Sequence, residues 1–219
     1  MGAIYIGISG WRYEPWRGVF YPDELVQDNE LAYASRALPS IEINGSFYSL
    51  QGPESYAAWH AATPKGFVFS CKGNRFITHT KRLKEIDGPV ANVLASGVFN
   101  LEHFLSLLPH DTDAGLALAS QHEPRMECKV ALEVGKKHKL RHAVEIRHES
   151  FVDEAFIAML RKYKVALVVA DTTGKWPYFE DMTADFMYLR LHGDKELYAS
   201  GYSDEALERW AARSLLTRT

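Results

Sequence analysis

Cysteine is scarce in this sequence, with only Cys71 and Cys128 among 219 residues. Two cysteines cannot build a disulfide framework, and so low a number is typical of proteins from a reducing compartment. Cys71 lies on the apolar side of a predicted strand, so we expect a buried, unreactive thiol rather than a nucleophile. The cysteine usage therefore favours a cytoplasmic protein.

Long hydrophobic runs are also missing. No segment approaches the roughly 20 apolar residues that a membrane-spanning helix needs. The first ten residues lack the basic region and the apolar stretch of a signal peptide, and their pattern is typical of a first strand. Hydrophobic residues make up 47% of the chain, which is ample for one core. We expect a soluble protein without a membrane partner, folded as one domain over residues 1–219.

Neither sign of charge dominates, because 25 Lys and Arg residues stand against 28 Asp and Glu residues, for a formal net charge of −3. This balance argues against bulk attraction to nucleic acid or to an anionic membrane, although a local basic site remains open. Walker, G-x-G-x-x-G and G-x-S-x-G motifs are absent as well. Nucleotide-dependent phosphoryl transfer, nicotinamide chemistry and α/β-hydrolase chemistry therefore have no support.

What the sequence does contain is strand-like segments that alternate with helical ones. Strands are predicted over Ile4–Ser9, Ser40–Asn44, Phe67–Lys72, Ala143–Arg147, Val165–Asp171 and Met187–His192. Helices are predicted over residues 29–38, 53–62, 101–108, 111–121, 153–163 and 203–213. This alternation predicts an α/β fold with βαβ units and a parallel sheet. Six strands are two fewer than a closed eightfold barrel needs.

Charged residues recur on alternate positions of these strands, at or near their carboxyl ends. They are Glu42, Lys72, Glu145, Arg147, Asp171, Arg190 and His192. Successive side chains of a strand point to opposite faces, so the intervening apolar residues should meet the helices. Because the sites of parallel β/α folds lie at the carboxyl ends of the strands, we expect the charged set to converge on one cavity. The alternative is an ion-pair lattice that only fills this end of the sheet.

The mixture of acids and bases suggests acid–base chemistry on an anion. Candidate catalytic residues are Glu42, Glu145, Asp171 and His192, with Lys72, Arg147 and Arg190 as ligands of the anion. Carboxylates beside guanidinium groups should stay ionised, with depressed pKa values. A divalent metal is a further possibility, with Glu42, Glu145, Asp171, His148 and His192 as ligands. It is not favoured, because no H-E-x-x-H spacing is present and the neighbouring Lys and Arg side chains would repel the metal. His192 could equally be a hydrogen-bonded structural residue.

A basic segment over residues 72–84 holds five Lys or Arg residues and no acid. Because it follows a strand end, it would hang over the predicted site, where it could bind phosphate or another anion. The alternative is a solvated surface loop. Aromatic residues are concentrated between Trp11 and Tyr21, where they could either wall a pocket or form a hydrophobic plug.

Several longer motifs, in order along nearly the whole chain, resemble the YecE-like family, a domain of unknown function with the number 72. They are Gly-Ile-Ser-Gly-Trp at 7–11, Trp-Arg-Gly-Val-Phe-Tyr-Pro at 16–22, Glu-Ile-Asn-Gly-Ser-Phe-Tyr at 42–48, Thr-Pro-Lys-Gly-Phe-Val-Phe-Ser-Cys-Lys at 63–72, Ile-Thr-His-Thr-Lys-Arg-Leu at 77–83, Glu-Ile-Arg-His at 145–148 and Tyr-Leu-Arg-Leu-His-Gly at 188–193. The resemblance implies a single TIM-like (β/α) barrel with a site at its carboxyl end, but no particular reaction. Candidate substrate-binding residues are then Trp11, Asn44, Lys72, His79, Arg82, Arg147, His148 and Arg190.

Two strands of the family pattern are missing here. The fourth strand is nearly absent between Ala95 and Asn100, and the last strand is absent near Arg218 and Thr219. We interpret both as stretches missing from the sequence, because two openings in a barrel would expose unpaired sheet edges. This interpretation predicts a spatial break in the chain near Ser96–Asn100.

The sequence therefore favours an enzyme that performs acid–base chemistry on a small or nucleotide-sized anionic substrate, as a hydrolase, lyase or isomerase. The competing hypothesis is a nucleic-acid-binding module, in which the basic segment 72–84 grips phosphates and rings such as Trp11 stack on bases. The net charge of −3 weakens this second hypothesis.

Overall fold

The structure, a computed structural model, describes residues 3–80, 101–122, 130–133, 135–196 and 201–216 of the chain. By its internal contacts the chain divides into two compact units. The first unit comprises Met1–Phe99 and Leu116–Glu133, and the second comprises Asn100–Gly115 and Val134–Thr219. The expectation of one domain over residues 1–219 stays a prediction.

The first unit contains a three-stranded parallel sheet. Its strands are β1 (Gly7–Ser9), β2 (Ser40–Ile43) and β3 (Val68–Cys71), in the order β1-β2-β3. Helix α1 (Glu30–Ala37) lies between β1 and β2 in the chain, and α2 (Gly45–Tyr48) and α3 (Pro53–Ala62) lie between β2 and β3. Short 3₁₀ helices cover Glu14–Trp16 and Gln27–Asn29, and a π-helix covers Phe76–Thr80. The register aligns Ser9 with Glu42 and Glu42 with Ser70, so the carboxyl ends of the three strands lie side by side.

Aromatic side chains pack with α1 and β2 to form the core of the first unit. Its buried members are Tyr21, Leu31, Ala34 and Ile41, with Trp11, Trp16 and Phe20 packed against them. The hydroxyl of Tyr21 donates a hydrogen bond to the carbonyl oxygen of Trp11 at 2.7 Å. Of the two interpretations of these rings, the structure supports the hydrophobic plug.

The second unit contains another three-stranded parallel sheet. The helices α4 (Leu101–Leu107) and α5 (Thr112–Ala119) precede it in the chain. Its strands are β4 (His142–Val144), β5 (Val165–Asp171) and β6 (Tyr188–Leu191), in the order β4-β5-β6. A 3₁₀ helix (Glu149–Phe151) and α6 (Glu154–Lys162) lie between β4 and β5, and α7 (Asp204–Leu216) follows β6.

The central strand β5 is buried because it has a neighbouring strand on each side and helix α6 against it. Residues 165–170 are all buried, as expected of an apolar strand covered on both faces. The core cluster combines Leu105, Ile146, Phe156, Ile157, Leu160, Val165 and Leu167. The side chain of Asp153 caps α6 by accepting a hydrogen bond from the backbone N–H of Ala155 at 2.7 Å.

All six predicted strands are present, and α3 has the bounds that the sequence predicted. The first strand is shorter than predicted, since Ile4, Tyr5 and Ile6 are exposed and lie outside the sheet. Within the described residues the strands form two three-stranded sheets and no closed barrel, so the single TIM-like barrel is not confirmed. The predicted break near Ser96–Asn100 lies outside the described residues. None of the helices in the described ranges is long and apolar enough to cross a membrane.

The prediction that Cys71 is buried is wrong, because its side chain is exposed. Cys71 is the last residue of the edge strand β3, so fewer neighbours surround it than surround Ile43 at the aligned position of the central strand. Partial desolvation still raises the pKa of its thiol, which agrees with an unreactive cysteine. Cys128 lies outside the described residues.

Candidate functional site

A polar cluster lies at the carboxyl ends of the three strands of the first unit. The buried carboxylate of Glu42 accepts a hydrogen bond from the hydroxyl of Ser9 at 2.7 Å. Its Oε1 atom is also 3.0 Å from the ammonium nitrogen of Lys72. The same ammonium group donates to the Asn44 side-chain oxygen at 2.7 Å. Among the described residues of this cluster, the ammonium group of Lys72 thus lies between the Glu42 carboxylate and the Asn44 side-chain oxygen.

A turn after β1 closes this cluster. Gly10 has φ +80°, and a Cβ atom there would lie 2.8 Å from the Tyr13 hydroxyl oxygen and 3.1 Å from the Asn44 amide nitrogen. Glycine is therefore needed both for the backbone conformation and for the close approach. The Tyr13 hydroxyl donates to the Ser9 carbonyl oxygen at 2.7 Å. Sequence analysis did not assign Ser9 and Tyr13 to the site, although Ser9 lies in the 7–11 motif at a strand end.

A second charged cluster lies at the carboxyl ends of the strands of the second unit, around Glu145. One carboxylate oxygen of Glu145 accepts a hydrogen bond from Arg190 Nη1, and the other accepts from Arg147 Nε at 2.8 Å. The side chains of Glu145 and Arg190 are only 12% and 14% exposed, whereas that of Arg147 is 50% exposed. The buried part of the cluster is thus a carboxylate–guanidinium pair, with a second guanidinium on its solvent side.

Burial by itself raises the pKa of Glu145. The charge and hydrogen bond of Arg190, together with the hydrogen bond and charge of Arg147, more than offset this effect and hold the pKa of Glu145 below its usual value. The prediction that carboxylates beside guanidinium groups have depressed pKa values is confirmed for Glu145. This carboxylate therefore carries its negative charge at neutral pH.

Trp176 belongs to this cluster, and sequence analysis missed it. The guanidinium carbon of Arg147 lies 4.2 Å from the centre of its ring, and the ammonium nitrogen of Lys175 lies 5.3 Å from the same centre. The imidazole of His192 approaches the ring edge to face, with 6.1 Å between centroids. The signal that could have found Trp176 is its position, five residues after the carboxyl end of β5.

A tight turn after β5 places Trp176. The backbone N–H of Lys175 donates to the carbonyl oxygen of Thr172, and φ is positive at both central residues, Thr173 (52°) and Gly174 (82°). The backbone N–H of Trp176 donates to the hydroxyl oxygen of Thr172 at 3.2 Å. Because β-branched residues rarely adopt positive φ, surrounding contacts must hold this turn.

Asp171 does not join the Glu145 cluster, which corrects the predicted convergence. The register pairs Asp171 with Leu191 and Ala170 with Arg190, so Asp171 and Arg190 lie on opposite faces of the sheet. The carboxylate of Asp171 accepts hydrogen bonds from Tyr202 at 2.8 Å and from the Trp210 indole at 3.3 Å. It lines a cleft of about 590 Å³ beside α7. Alternation places the buried His192 with Arg190 instead.

The other predicted site residues have local roles in the structure. Trp11 packs against the core of the first unit, with its ring 5.6 Å from that of Trp59. His79 is exposed and shares a 2.7 Å hydrogen bond with Thr78. His148 is exposed, and its Nδ1 atom caps the 3₁₀ helix Glu149–Phe151.

Only part of the basic segment 72–84 is described. Arg82 and the rest of residues 81–84 lie outside the described residues. Lys72 contacts Glu42 and Asn44, and the guanidinium of Arg75 lies 5.9 Å from the ring centre of Tyr48. In the described part of the chain, no three His, Cys, Asp or Glu side chains are grouped so that they could hold a metal ion.

The predicted set thus divides into two groups by unit. Glu42, Asn44 and Lys72 form one group, and Glu145, Arg147, Arg190 and His192 form the other around Trp176. The expectation that both groups share one cavity stays a prediction.

Comparisons with known proteins agree on one family. A family model described as "Protein of unknown function DUF72" matches residues 5–217. A DUF72 family protein of Thermotoga maritima has a similar structure, with a TM-score of 0.64 at 22% identity over 97% of this chain and 86% of that one. A DUF72 family protein of Enterococcus faecalis gives 0.53 at 18% identity over 94% and 76%. At these identities the likeness concerns the fold alone.

The UPF0759 protein YunF of Bacillus subtilis is 30% identical over 79 residues, which are 36% of this chain. The matched stretch spans 27% of the length of that relative.

Proposed function

The chain belongs to the DUF72 family of proteins of unknown function, and we propose that the Arg147–Trp176 cluster of its second unit binds an anionic substrate for acid–base chemistry. The proposal rests on the contacts and the exposure of the Arg147 guanidinium. Its Nε donates to Glu145, and its guanidinium stacks on Trp176. Within the described residues its two amino groups make no hydrogen bond, and half of the side chain is exposed.

Such a guanidinium is suited to an oxyanion. It is a planar fork whose N–H groups match two oxygens of a carboxylate or phosphate. Its contacts with Trp176 and Glu145 already hold its plane, so little side-chain freedom remains to be lost on binding. The free amino groups then supply charge-assisted hydrogen bonds to the ligand.

The charge of the cluster also favours an anion. Among the described residues of the cluster, Arg147, Lys175 and Arg190 contribute three positive charges, and Glu145 contributes one negative charge. The excess positive charge attracts anions, whereas the first-unit cluster pairs Lys72 with Glu42. A self-satisfied ion-pair lattice therefore describes the first cluster better than the second.

The roles of the remaining side chains follow from their chemistry. Glu145 has a lowered pKa and accepts from both arginines, so it suits a positioning carboxylate better than a proton donor. His192 carries an imidazole, a group that can both donate and accept a proton, and its ring packs edge to face against Trp176. We assign proton transfer to His192 and anion binding to Arg147 and Arg190, in a hydrolase-, lyase- or isomerase-type reaction.

Binding of inorganic phosphate, measured by isothermal titration calorimetry, tests this proposal. Loss of a charge-assisted contact of about 1.5–3 kcal/mol should weaken binding roughly 10- to 150-fold in Arg147→Ala. Arg141→Ala is the matched control, because Arg141 is 53% exposed and stacks on Phe186 at 5.5 Å beside Asp185. We expect that control to bind phosphate within about twofold of the parent protein. The proposal fails if the parent binds no anion, or if both variants lose affinity equally.

Finer expectations from the sequence stay predictions. They are the single TIM-like barrel, the shared cavity with Glu42, Asn44 and Lys72, binding roles for Trp11, His79, Arg82 and His148, and a cytoplasmic location. The nucleic-acid alternative stays a prediction as well. Two basic residues of segment 72–84 are described. Lys72 contacts Glu42 and Asn44, whereas Arg75 lies over the exposed ring of Tyr48, where a phosphate and a base could both be contacted. Titration with short DNA and RNA at low salt tests it.

A further inference from the structure

We infer that the anion bound by Arg147 is carried by a planar ring, which stacks on the face of the guanidinium opposite Trp176. This inference rests on the proposed anion site and names its substrate class: an aromatic phosphate or carboxylate, with the charged group close to the ring. Sugar phosphates and aliphatic acids would bind the same arginine without this second contact.

The guanidinium of Arg147 has edges that can donate hydrogen bonds and two flat faces. One face is covered by the Trp176 ring at 4.2 Å, and the Nε edge is directed to Glu145. The side chain is nevertheless 50% exposed. Among the described residues, no other ring packs against this guanidinium and its amino groups make no hydrogen bond, so we assign the exposed part to the opposite face and the amino groups. A ligand can therefore meet in-plane N–H groups and an open flat surface at the same residue.

A guanidinium with one open face can contact two kinds of ligand group at once. A guanidinium is weakly hydrated above and below its plane and stacks on aromatic rings, while its N–H groups bind oxyanions in the plane. A ring on the open face would extend the existing stack to ring, guanidinium and ring. The ring stacks above the plane of the guanidinium, whereas the anion binds within that plane. A ligand that makes both contacts must therefore carry its ring and its anionic group close together.

Arg147 differs from the other stacked arginines among the described residues. Arg141 lies 5.5 Å from the Phe186 centroid, and its Nε is 3.9 Å from Asp185, too far for a hydrogen bond. Arg75 lies 5.9 Å from the Tyr48 centroid, and Arg213 lies 5.4 Å from the Trp210 centroid and 5.8 Å from the Tyr178 centroid. Arg147 combines a closer stack with a 2.8 Å hydrogen bond to a largely buried carboxylate, so its plane is held before any ligand arrives.

The experiment compares phenyl phosphate, cyclohexyl phosphate and inorganic phosphate by calorimetry at pH 8, where each is predominantly a dianion. Phenyl and cyclohexyl phosphates are similar in size and charge, but only phenyl phosphate has a flat π-face. We expect phenyl phosphate to bind roughly 2- to 30-fold more tightly than cyclohexyl phosphate, the range given by one cation–π contact.

The matched variant is Arg147→Lys, which keeps the positive charge and removes the flat face. It should reduce the preference for phenyl over cyclohexyl phosphate to within about twofold while phosphate still binds. Arg141→Lys should leave the preference unchanged. Circular dichroism and thermal unfolding of each variant show that it is folded.

Each outcome separates this inference from the proposed function. If phenyl and cyclohexyl phosphates bind equally to the parent protein, the ring contact is refuted and the anion site stands. If the preference survives in Arg147→Lys, the ring binds elsewhere and the inference is also refuted. If none of the three phosphates binds, the anion site itself fails.

Discussion

Replacing Glu145 by glutamine removes one negative charge from the cluster with almost no change of shape. Glu145→Gln removes the carboxylate that accepts a hydrogen bond from Arg190, whose side chain is 14% exposed. Removing one partner of a buried ion pair costs about 3–5 kcal/mol. Glutamine keeps an oxygen that can accept one hydrogen bond, and the pair is not fully buried, so we expect about 2–3 kcal/mol. For a chain of this size that loss lowers Tm by roughly 4–12 °C.

The pH dependence of this loss identifies its cause. The pKa of Glu145 in the folded protein lies below its ordinary value of 4.5. Its contribution to stability is therefore fully present above about pH 4.5 and disappears as the pH falls through the lower folded-state pKa. We expect the difference in unfolding free energy between parent and Glu145→Gln to be constant near neutrality and to shrink in acid. Urea unfolding followed by circular dichroism between pH 7 and pH 3 measures it.

The control is Glu149→Gln, because Glu149 is exposed and lies four residues further along the chain. We expect its Tm to equal that of the parent. The reasoning is refuted if Glu145→Gln is as stable as Glu149→Gln at pH 7. It is also refuted if the difference persists unchanged at pH 3, since the destabilisation would then not come from the ionised carboxylate.

Two further predictions concern the first unit. Gly10→Ala should lower the free energy of unfolding by about 1–3 kcal/mol, because φ is positive and the Tyr13 hydroxyl lies where the new Cβ would be. Gly66→Ala is the control, because Gly66 has φ +86° but no atom within 4 Å of the new Cβ, so this variant measures the cost of the backbone conformation alone. An equal loss of stability in both variants would disprove the steric effect of the Tyr13 hydroxyl. Lys72→Met should destabilise by about 1–3 kcal/mol because it removes the ammonium group 3.0 Å from the carboxylate of Glu42, whose side chain is 9% exposed. Combining it with Glu42→Gln should recover part of the loss in urea unfolding, and strict additivity of the two effects would rule out the pair.

Much of the secondary structure follows from local pattern. Strand β5 and helix α3 have the bounds predicted from the sequence, because an apolar run and a proline at the first helical turn are local signals. The charged residues on both segments were also accessible, since they alternate with apolar ones, but the hydrogen bond between Glu145 and Arg190 was not. The end of β4 could not be predicted from the pattern, because the alternation of charged and apolar residues continues through Glu145 and Arg147 after the strand ends at Val144.

The pairing of strands and the grouping of charged residues within each unit depended on more than pattern. Alternation states which residues of one strand share a face, but it does not state which positions of two strands pair. The predicted convergence of Asp171 with Arg190 was wrong because the register aligns Arg190 with Ala170, and one residue of offset places Asp171 on the other face.

The sequence by itself therefore determined the strands, the helices, the family and the charged residues that lie at strand ends. The tertiary structure decided which of those charges meet. It also brought Trp176 onto Arg147, through a turn with positive φ at Thr173 and Gly174. Alternation and helical periodicity are properties of a few consecutive residues, whereas strand register and the stacking of a loop residue depend on contacts between residues distant in the chain.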